Sequence, residues 1–315
     1  MVTDLLVVDS EADFYRGRLS PIFPDVNFLL APDGDAAEEH LPDAEILFSI
    51  ARWLTPERLA MCGKLKWIQC NITGTDHLTG VLGARPDILL TNGRGIHGPQ
   101  MSEITVLHMM AMYRQVGRLA RNQRDHVWDR FLPRVLDNRV AVILGVGAIA
   151  GHLAGVLKAF GMSVHGISGS PREVPGFDRI YGRDKLLEAA GEADFLIVLV
   201  PFTPENDKIV NARVFEAMKP TAMLVNVARG GVVDEAALID ALNSGKIAGA
   251  GLDVFETAPL PDDSPLWDME NVFMTPFTGG RSDQYEQNLL TIQEPNLRAY
   301  LAGERDKMIN IVSGG

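Results

Sequence analysis

Gly145 and Gly147 stand two apart in the run RVAVILGVGAIAGHLAG, with Ala150 three residues further on and Gly151 beside it. A glycine–x–glycine–x–x–alanine turn between an apolar β-prone run and a helical segment lets backbone approach the pyrophosphate of a dinucleotide. The first glycine permits a sharp turn off the strand. The second removes a Cβ from the phosphate side, and the small third residue lets helix and strand pack closely. A helix opening at Ala148 and Ile149 would aim its free N–H groups and positive dipole end at that anion.

The second strand of this unit, Val164–Ile167, bears on which nucleotide is bound. A carboxylate about 20 residues past the glycines would accept hydrogen bonds from the ribose hydroxyls of NAD. Here the strand runs into Ser168, Gly169, Ser170, Pro171 and Arg172, and no acid appears before Glu173. Two hydroxyls and a guanidinium suit a 2′-phosphate, which a carboxylate would repel. NADP(H) is the expected cofactor, with NAD as the alternative.

Further chemistry-bearing residues follow apolar runs. Ala193–Val200 leads into Pro201 and Phe202, and Met223–Val227 into Ala228, Arg229 and two glycines. Ala248–Val254 carries Asp253 near its end, and Phe273–Thr275 leads into Pro276, Phe277, Thr278 and Gly279. Near-uninterrupted apolar runs are those of strands buried on both faces, and ligands bind beyond the carboxyl ends of such strands.

The elements that must position these residues read as α/β throughout. The 315 residues suggest two domains. Strand-like runs at Leu5–Val8, Asn27–Leu30, Ile46–Ser49, Trp67–Gln69 and Ile88–Leu90 alternate with helical or polar stretches, a pattern expected of a parallel sheet flanked by helices. Thr55 before Pro56 reads as a helix N-cap. Glycine-rich Thr91–Gly98 precedes an amphipathic helix expected over Pro99–Leu119, whose methionines are packing residues or line a subunit interface. The expectation is a discontinuous α/β domain, 1–94 with 283–315, of smaller flavodoxin-like form, and a doubly wound Rossmann-type dinucleotide domain over 95–282.

Composition narrows the function. Hydrophobic residues make up 46% and charged residues 22%, as in an ordinary soluble globular protein. The net charge of −12 argues against a nucleic-acid or anionic-membrane partner, and no apolar run approaches the ~20 residues that span a bilayer. Cys62 and Cys70 show no metal-ligand pattern and read as reduced, buried thiols, so no metal site is expected. The N-terminal stretch lacks a signal-peptide pattern, and a cytoplasmic location is expected.

Taken together, GVGAIAG, AFGMSV, VPFTPEN, NVARGGVVDEAALIDAL, GLDVF and TPFTGG resemble, in order and over nearly the whole chain, the D-isomer-specific 2-hydroxyacid dehydrogenases. Gly169-x-Pro171-Arg172 is most similar to the NADP-using glyoxylate/hydroxypyruvate reductase branch. The resemblance implies that the discontinuous domain, 1–94 with 283–315, binds substrate, and that a homodimer transfers hydride between a nicotinamide and C2 of a 2-hydroxy or 2-oxo acid, a small-molecule carboxylate. It implies Arg229 as the catalytic arginine that grips the substrate carboxylate and polarises the carbonyl, and Asp253 near the nicotinamide. It also implies Thr73 and Gly74 in a carboxylate-binding loop and Arg52 in a second substrate-facing loop.

The resemblance breaks at two positions. The family's acid/base histidine falls on Phe277, and its partner glutamate falls on Ala258. Phenylalanine neither donates nor accepts a proton. The expectation is therefore a nonstandard proton donor (His97, Glu256, Tyr285 or a water held by Arg229), or a substrate with an apolar part stacked on Phe277. A noncatalytic, nucleotide-binding homologue, or an enzyme using the bound nicotinamide for a different reaction on a related acid, is the rival reading.

Overall fold

A computed structural model of the chain describes residues 2–313. They divide into two compact units: the residues up to Ile96 together with those from Ser282 onward, and His97–Arg281.

The first unit contains β1 (Thr3–Val8), α1 (Ala12–Leu19), β2 (Val26–Ala31), β3 (Ile46–Ser49), α2 (Pro56–Met61), β4 (Trp67–Cys70), α3 (Asp76–Leu82) and β5 (Leu89–Asn92). The Thr55 hydroxyl caps α2 by accepting from the Arg58 N–H at 3.3 Å, with Pro56 in the first turn. The strands form a sheet in the order β13-β5-β4-β3-β1-β2, parallel except for its last member, β13 (Ile311–Ser313), which runs antiparallel to β5. One face buries Tyr15, Phe48 and Trp67 with Leu289 and Leu297; the other buries Leu6, Leu47, Ile68 and both free cysteines.

The second unit opens with α4 (Gly98–Tyr113) and α5 (Val116–Arg124). Then come β6 (Val140–Leu144), α6 (Ala148–Ala159), β7 (Ser163–Ser168), β8 (Arg179–Gly182), α7 (Leu186–Glu192), β9 (Phe195–Val198) and α8 (Ala212–Ala217). They are followed by β10 (Met223–Asn226), α9 (Glu235–Asn243), β11 (Gly249–Leu252) and β12 (Val272–Met274), before α10 (Tyr285–Leu301) returns the chain to the first unit. All seven strands are parallel, in the order β12-β11-β10-β9-β6-β7-β8. From β6 the chain builds outward to β8, then crosses back to β9. The strand order reverses between β6 and β9, where doubly wound sheets leave a ligand crevice at their carboxyl edge.

One expectation is corrected. The helix anticipated over Pro99–Leu119 ends at Tyr113, and α5 begins at Val116. The break falls at Gln115, whose φ of +51° no helix can accommodate. Met101 and Met109 are buried in the core between α4, α6 and the sheet, and Met110 and Met112 pack against it. β8 was not anticipated. The loop 169–178 joins it to β7 without a helix, and its short, mixed pattern gave no strand signal.

Candidate functional site

Because the seven strands are parallel, their carboxyl ends share one edge, and every cofactor residue expected from the sequence lies on it. In sheet order, β12 leads to Phe277 and Gly279, β11 to Asp253, and β10 to Ala228 and Arg229. β9 leads to Pro201, β6 to Gly145, Gly147, Ala148 and Ile149, and β7 to Ser168, Ser170 and Arg172.

The two turn glycines do different physical work. Gly145 has φ +104°, and a Cβ there would lie 2.8 Å from Val200 Cγ1 and 3.0 Å from the Leu199 carbonyl. Gly147 is the N-cap of α6, and a Cβ there would meet nothing within 4 Å. An open backbone face at an uncapped helix N-terminus fits the pyrophosphate of a dinucleotide. Ala150 is buried where helix and strand meet. At the end of β7 the Ser168 hydroxyl accepts from the Ser170 N–H at 3.2 Å, and Arg172 is exposed with no ion pair among the described residues.

The opposite end of the rim is tightly built. Arg229 is half-buried; its guanidinium donates to the Ala228 carbonyl at 2.8 Å, and its own carbonyl accepts from Asn226 Nδ2 at 3.1 Å. Gly230 is obligatory, since a Cβ there would sit 1.8 Å from the Phe255 carbonyl oxygen. Asp253 is 1% exposed. Its Oδ1 accepts from Thr275 Oγ1 at 2.5 Å and the Thr278 N–H at 3.0 Å, and its Oδ2 accepts from the Gly279 N–H at 2.9 Å. Both carboxylate oxygens are thus committed to the turn after β12. The Asp253 carbonyl also accepts from the Phe277 N–H at 3.0 Å. Phe277 itself has φ +56° and is 52% exposed, an unusual backbone state for a bulky residue.

The alternative proton donors separate. His97 precedes α4, is 8% exposed, and lies beside Gly280, whose Cβ would come 3.9 Å from the imidazole Cδ2. Imidazole and site turn therefore belong to the same unit. Glu256 instead pairs with the Lys208 ammonium at 2.7 Å, which raises the Lys208 pKa, chiefly through that hydrogen bond. Tyr285, at the start of α10, donates to the Asn71 carbonyl in the first unit. Nearby in that unit, Asn92 Nδ2 donates to the Thr73 carbonyl at 2.8 Å, which pins the Thr73–Gly74 loop. Arg52 is exposed and follows Ala51, a buried residue with φ +59°.

One residue of this region carried no signal of its own in the sequence. His108, on α4, is fully buried, and its Nε2 lies 3.0 Å from Thr275 Oγ1. Burial pushes its pKa down to about 4. The available signal was indirect: Gly249 and Gly251 alternate in β11, and glycine inside a strand marks close approach by another element. That element is α4, since a Cβ on Gly251 would lie 2.6 Å from His108 Cβ, and one on Gly249 would lie 2.3 Å from Met112 Cε.

Residues 106–279 match the family described as D-isomer specific 2-hydroxyacid dehydrogenase, NAD binding domain. The chain belongs to the D-isomer specific 2-hydroxyacid dehydrogenase family, and with it to the nicotinamide-dependent oxidoreductases. It is 32% identical over 278 residues to a glyoxylate reductase from Korarchaeum cryptofilum, covering 84% of this chain and 82% of that one. It is 31% identical over 270 residues to the D-3-phosphoglycerate dehydrogenase of Methanocaldococcus jannaschii, covering 84% of this chain but 51% of that longer protein. A D-isomer specific 2-hydroxyacid dehydrogenase family protein from Aeromonas salmonicida superposes with a TM-score of 0.88 at 34% identity, covering 99% of both chains. An NADPH-dependent glyoxylate/hydroxypyruvate reductase from Sinorhizobium meliloti, solved with NADP and sulfate, superposes with a TM-score of 0.83 at 27% identity, covering 98% of both. Among the described residues, no helix is long and apolar enough to cross a membrane.

Proposed function

We propose that this chain is a cytoplasmic, homodimeric, NADP(H)-dependent reductase of a small 2-oxo acid, in which the proton does not come from a histidine at position 277. The observation that carries this reading is the carboxyl edge of the seven-stranded sheet, with an open glycine turn at β6 and a glycine-flanked arginine at β10. Gly145, Gly147, Ala148 and Ile149 would hold the pyrophosphate, and Pro201, Ala228, Asp253 and Gly279 would border the rest of the nucleotide. Ser168, Ser170 and Arg172 favour a 2′-phosphate, because no carboxylate stands at the end of β7 to repel it. The reduced nicotinamide would supply the hydride.

Arg229 would bind the substrate carboxylate and stabilise charge developing on the carbonyl oxygen. Arg52, Thr73 and Gly74, in the first unit, would be further contacts for a substrate carboxylate. Phe277 offers an apolar surface to the substrate, and His97 is the donor we favour, because it lies in the unit that carries Arg229 and borders the Phe277–Gly280 turn. Glu256, engaged by Lys208, is the weaker candidate. General acid–base groups typically contribute ~10²–10⁴-fold, so measurable turnover without the usual pair is physically reasonable.

The test is oxidation of NADPH, with NADH alongside, across small and aromatic 2-oxo acids. Turnover with NADPH is expected, together with its loss in His97→Asn. Tight NADPH binding with no turnover on any acid would favour the second reading, a noncatalytic nucleotide-binding homologue, which Phe277 and Ala258 also fit. The homodimer is tested by sedimentation of the purified chain. Trp128 and Leu132, 93% and 96% exposed, are the side chains a second copy would be expected to cover.

A further inference from the structure

The buried imidazole of His108 has no place in the reading above, yet it is linked by hydrogen bonds to the turn that borders the site. A carboxylate only accepts hydrogen bonds, so the single hydroxyl hydrogen of Thr275 goes to Asp253 Oδ1, 2.5 Å away. Thr275 Oγ1 must then accept from His108, whose Nε2 is 3.0 Å distant. The network thus places the proton on Nε2, with Nδ1 buried. An apolar side chain would fill this position without burying ring nitrogens, so the contact to Thr275 is what the imidazole specifically provides.

The other end of the chain is Asp253, which holds the N–H groups of Thr278 and Gly279 through its carboxylate and that of Phe277 through its carbonyl. These bonds hold Phe277 in the left-handed region, where a bulky residue would not settle unaided. α4 and the residue before it approach the same turn at two further points: Ile104 Cγ2 would be 2.9 Å from a Cβ on Gly279, and His97 lies beside Gly280.

We propose that His108 is a positioning residue, acting through Thr275 and Asp253 to fix the Phe277–Gly279 turn at the edge of the reaction site. This rests on the proposed reading of that rim as the place of reaction, and it adds a residue that never touches substrate. With the link cut, the turn loses an anchor, Phe277 is free to leave φ +56°, and the groups around it drift from their working positions. Misplacement on the ångström scale can cost about 10²-fold in rate.

The test compares His108→Leu and Thr275→Val, which cut the link, with His108→Gln and Thr275→Ser, which keep a donor or hydroxyl in place. Valine is nearly the shape of threonine, so Thr275→Val keeps the experiment readable if His108→Leu folds poorly. Four quantities are read on the full chain: kcat and KM with the best 2-oxo acid, NADPH affinity by fluorescence titration, and amide hydrogen exchange of the 275–280 segment. We expect the cutting variants to lose roughly 10- to 100-fold in kcat. Their NADPH affinity should stay within about threefold, and exchange at Thr278 and Gly279 should quicken about tenfold or more, each estimate on the scale of a lost hydrogen bond. The conserving variants should return toward wild type. Unchanged exchange in Thr275→Val, or failure of His108→Gln and Thr275→Ser to restore protection, would overturn the proposal. If the wild-type chain binds NADPH but reduces nothing, the proposed reaction fails, and the exchange data alone decide whether His108 sets the turn.

Discussion

The two ends of one sheet edge are held in opposite ways. Around β10–β12, Asp253 commits both carboxylate oxygens to its neighbours, and Gly230 lies so close to Phe255 that no side chain fits. Around β7, the loop after Ser168 is exposed, with one serine–backbone turn and an Arg172 that has no ion pair among the described residues. The proposed reaction end is preorganised by buried hydrogen bonds and close packing, whereas the end proposed to select the nucleotide is solvated. Substitutions at the first should therefore disturb structure and rate together. Substitutions at the second should shift cofactor preference while leaving stability alone.

The largest expected effect is at Arg229. Arg229→Met should lower kcat/KM for a 2-oxo acid by about 10²–10³-fold, the scale of one lost transition-state donor, while NADPH titration stays near wild type. A variant with wild-type turnover would remove Arg229 from the mechanism.

The paired glycines sharpen the contrast. Gly230→Ala should destabilise the fold by about 3 kcal/mol in denaturant unfolding, because its Cβ meets rigid backbone at 1.8 Å. Gly147→Ala, with nothing within 4 Å, should cost at most about 1 kcal/mol through the poorer cap yet weaken NADPH binding clearly. Equal stability losses in the two would erase the distinction between packed and open glycines.

A comparable effect should appear in acid. The pKa of His108 falls from 6.5 to about 4 in the folded chain, mainly by burial. Between those values the unfolded chain takes up a proton that the native state refuses, so stability falls as pH drops from 6.5 toward 4 and this component is flat above 6.5. The full excursion is about 3 kcal/mol, and His108→Gln should remove it from the pH dependence of unfolding. An unaltered acid slope in that variant would assign the effect to other groups.

The smallest change is expected at the exposed end. Arg172→Ala should raise the NADPH dissociation constant about tenfold, the scale of one charge-assisted contact, with NADH affinity and melting temperature nearly unchanged. Loss of NADH affinity alongside it would mean that Arg172 supports the loop rather than a phosphate.

Much of the architecture was legible because it is written in local patterns. The apolar runs ending at Val8, Ser49, Leu144, Val200 and Val227 belong to strands that end within three residues of those positions, and Gly145-x-Gly147 names its own turn. The helix break at Gln115 was not legible, since glutamine carries no signal for φ +51°. Glu256 looked like a spare carboxylate because Lys208, 48 positions earlier, reaches it only after β9, β10 and β11 assemble. His108 carries no signal of its own within the helical stretch that contains it.

By itself, the sequence determined the parallel α/β plan, the glycine turn and the arginine between small residues, because hydrophobic period and turn chemistry act over a few neighbouring residues. Only the tertiary structure decided that Gly230 must have no side chain, that Asp253 serves a turn, and that His108 reaches Thr275 across 167 positions of chain. Those are decided by which elements lie side by side, and that follows from burying the whole sheet, which no local stretch encodes.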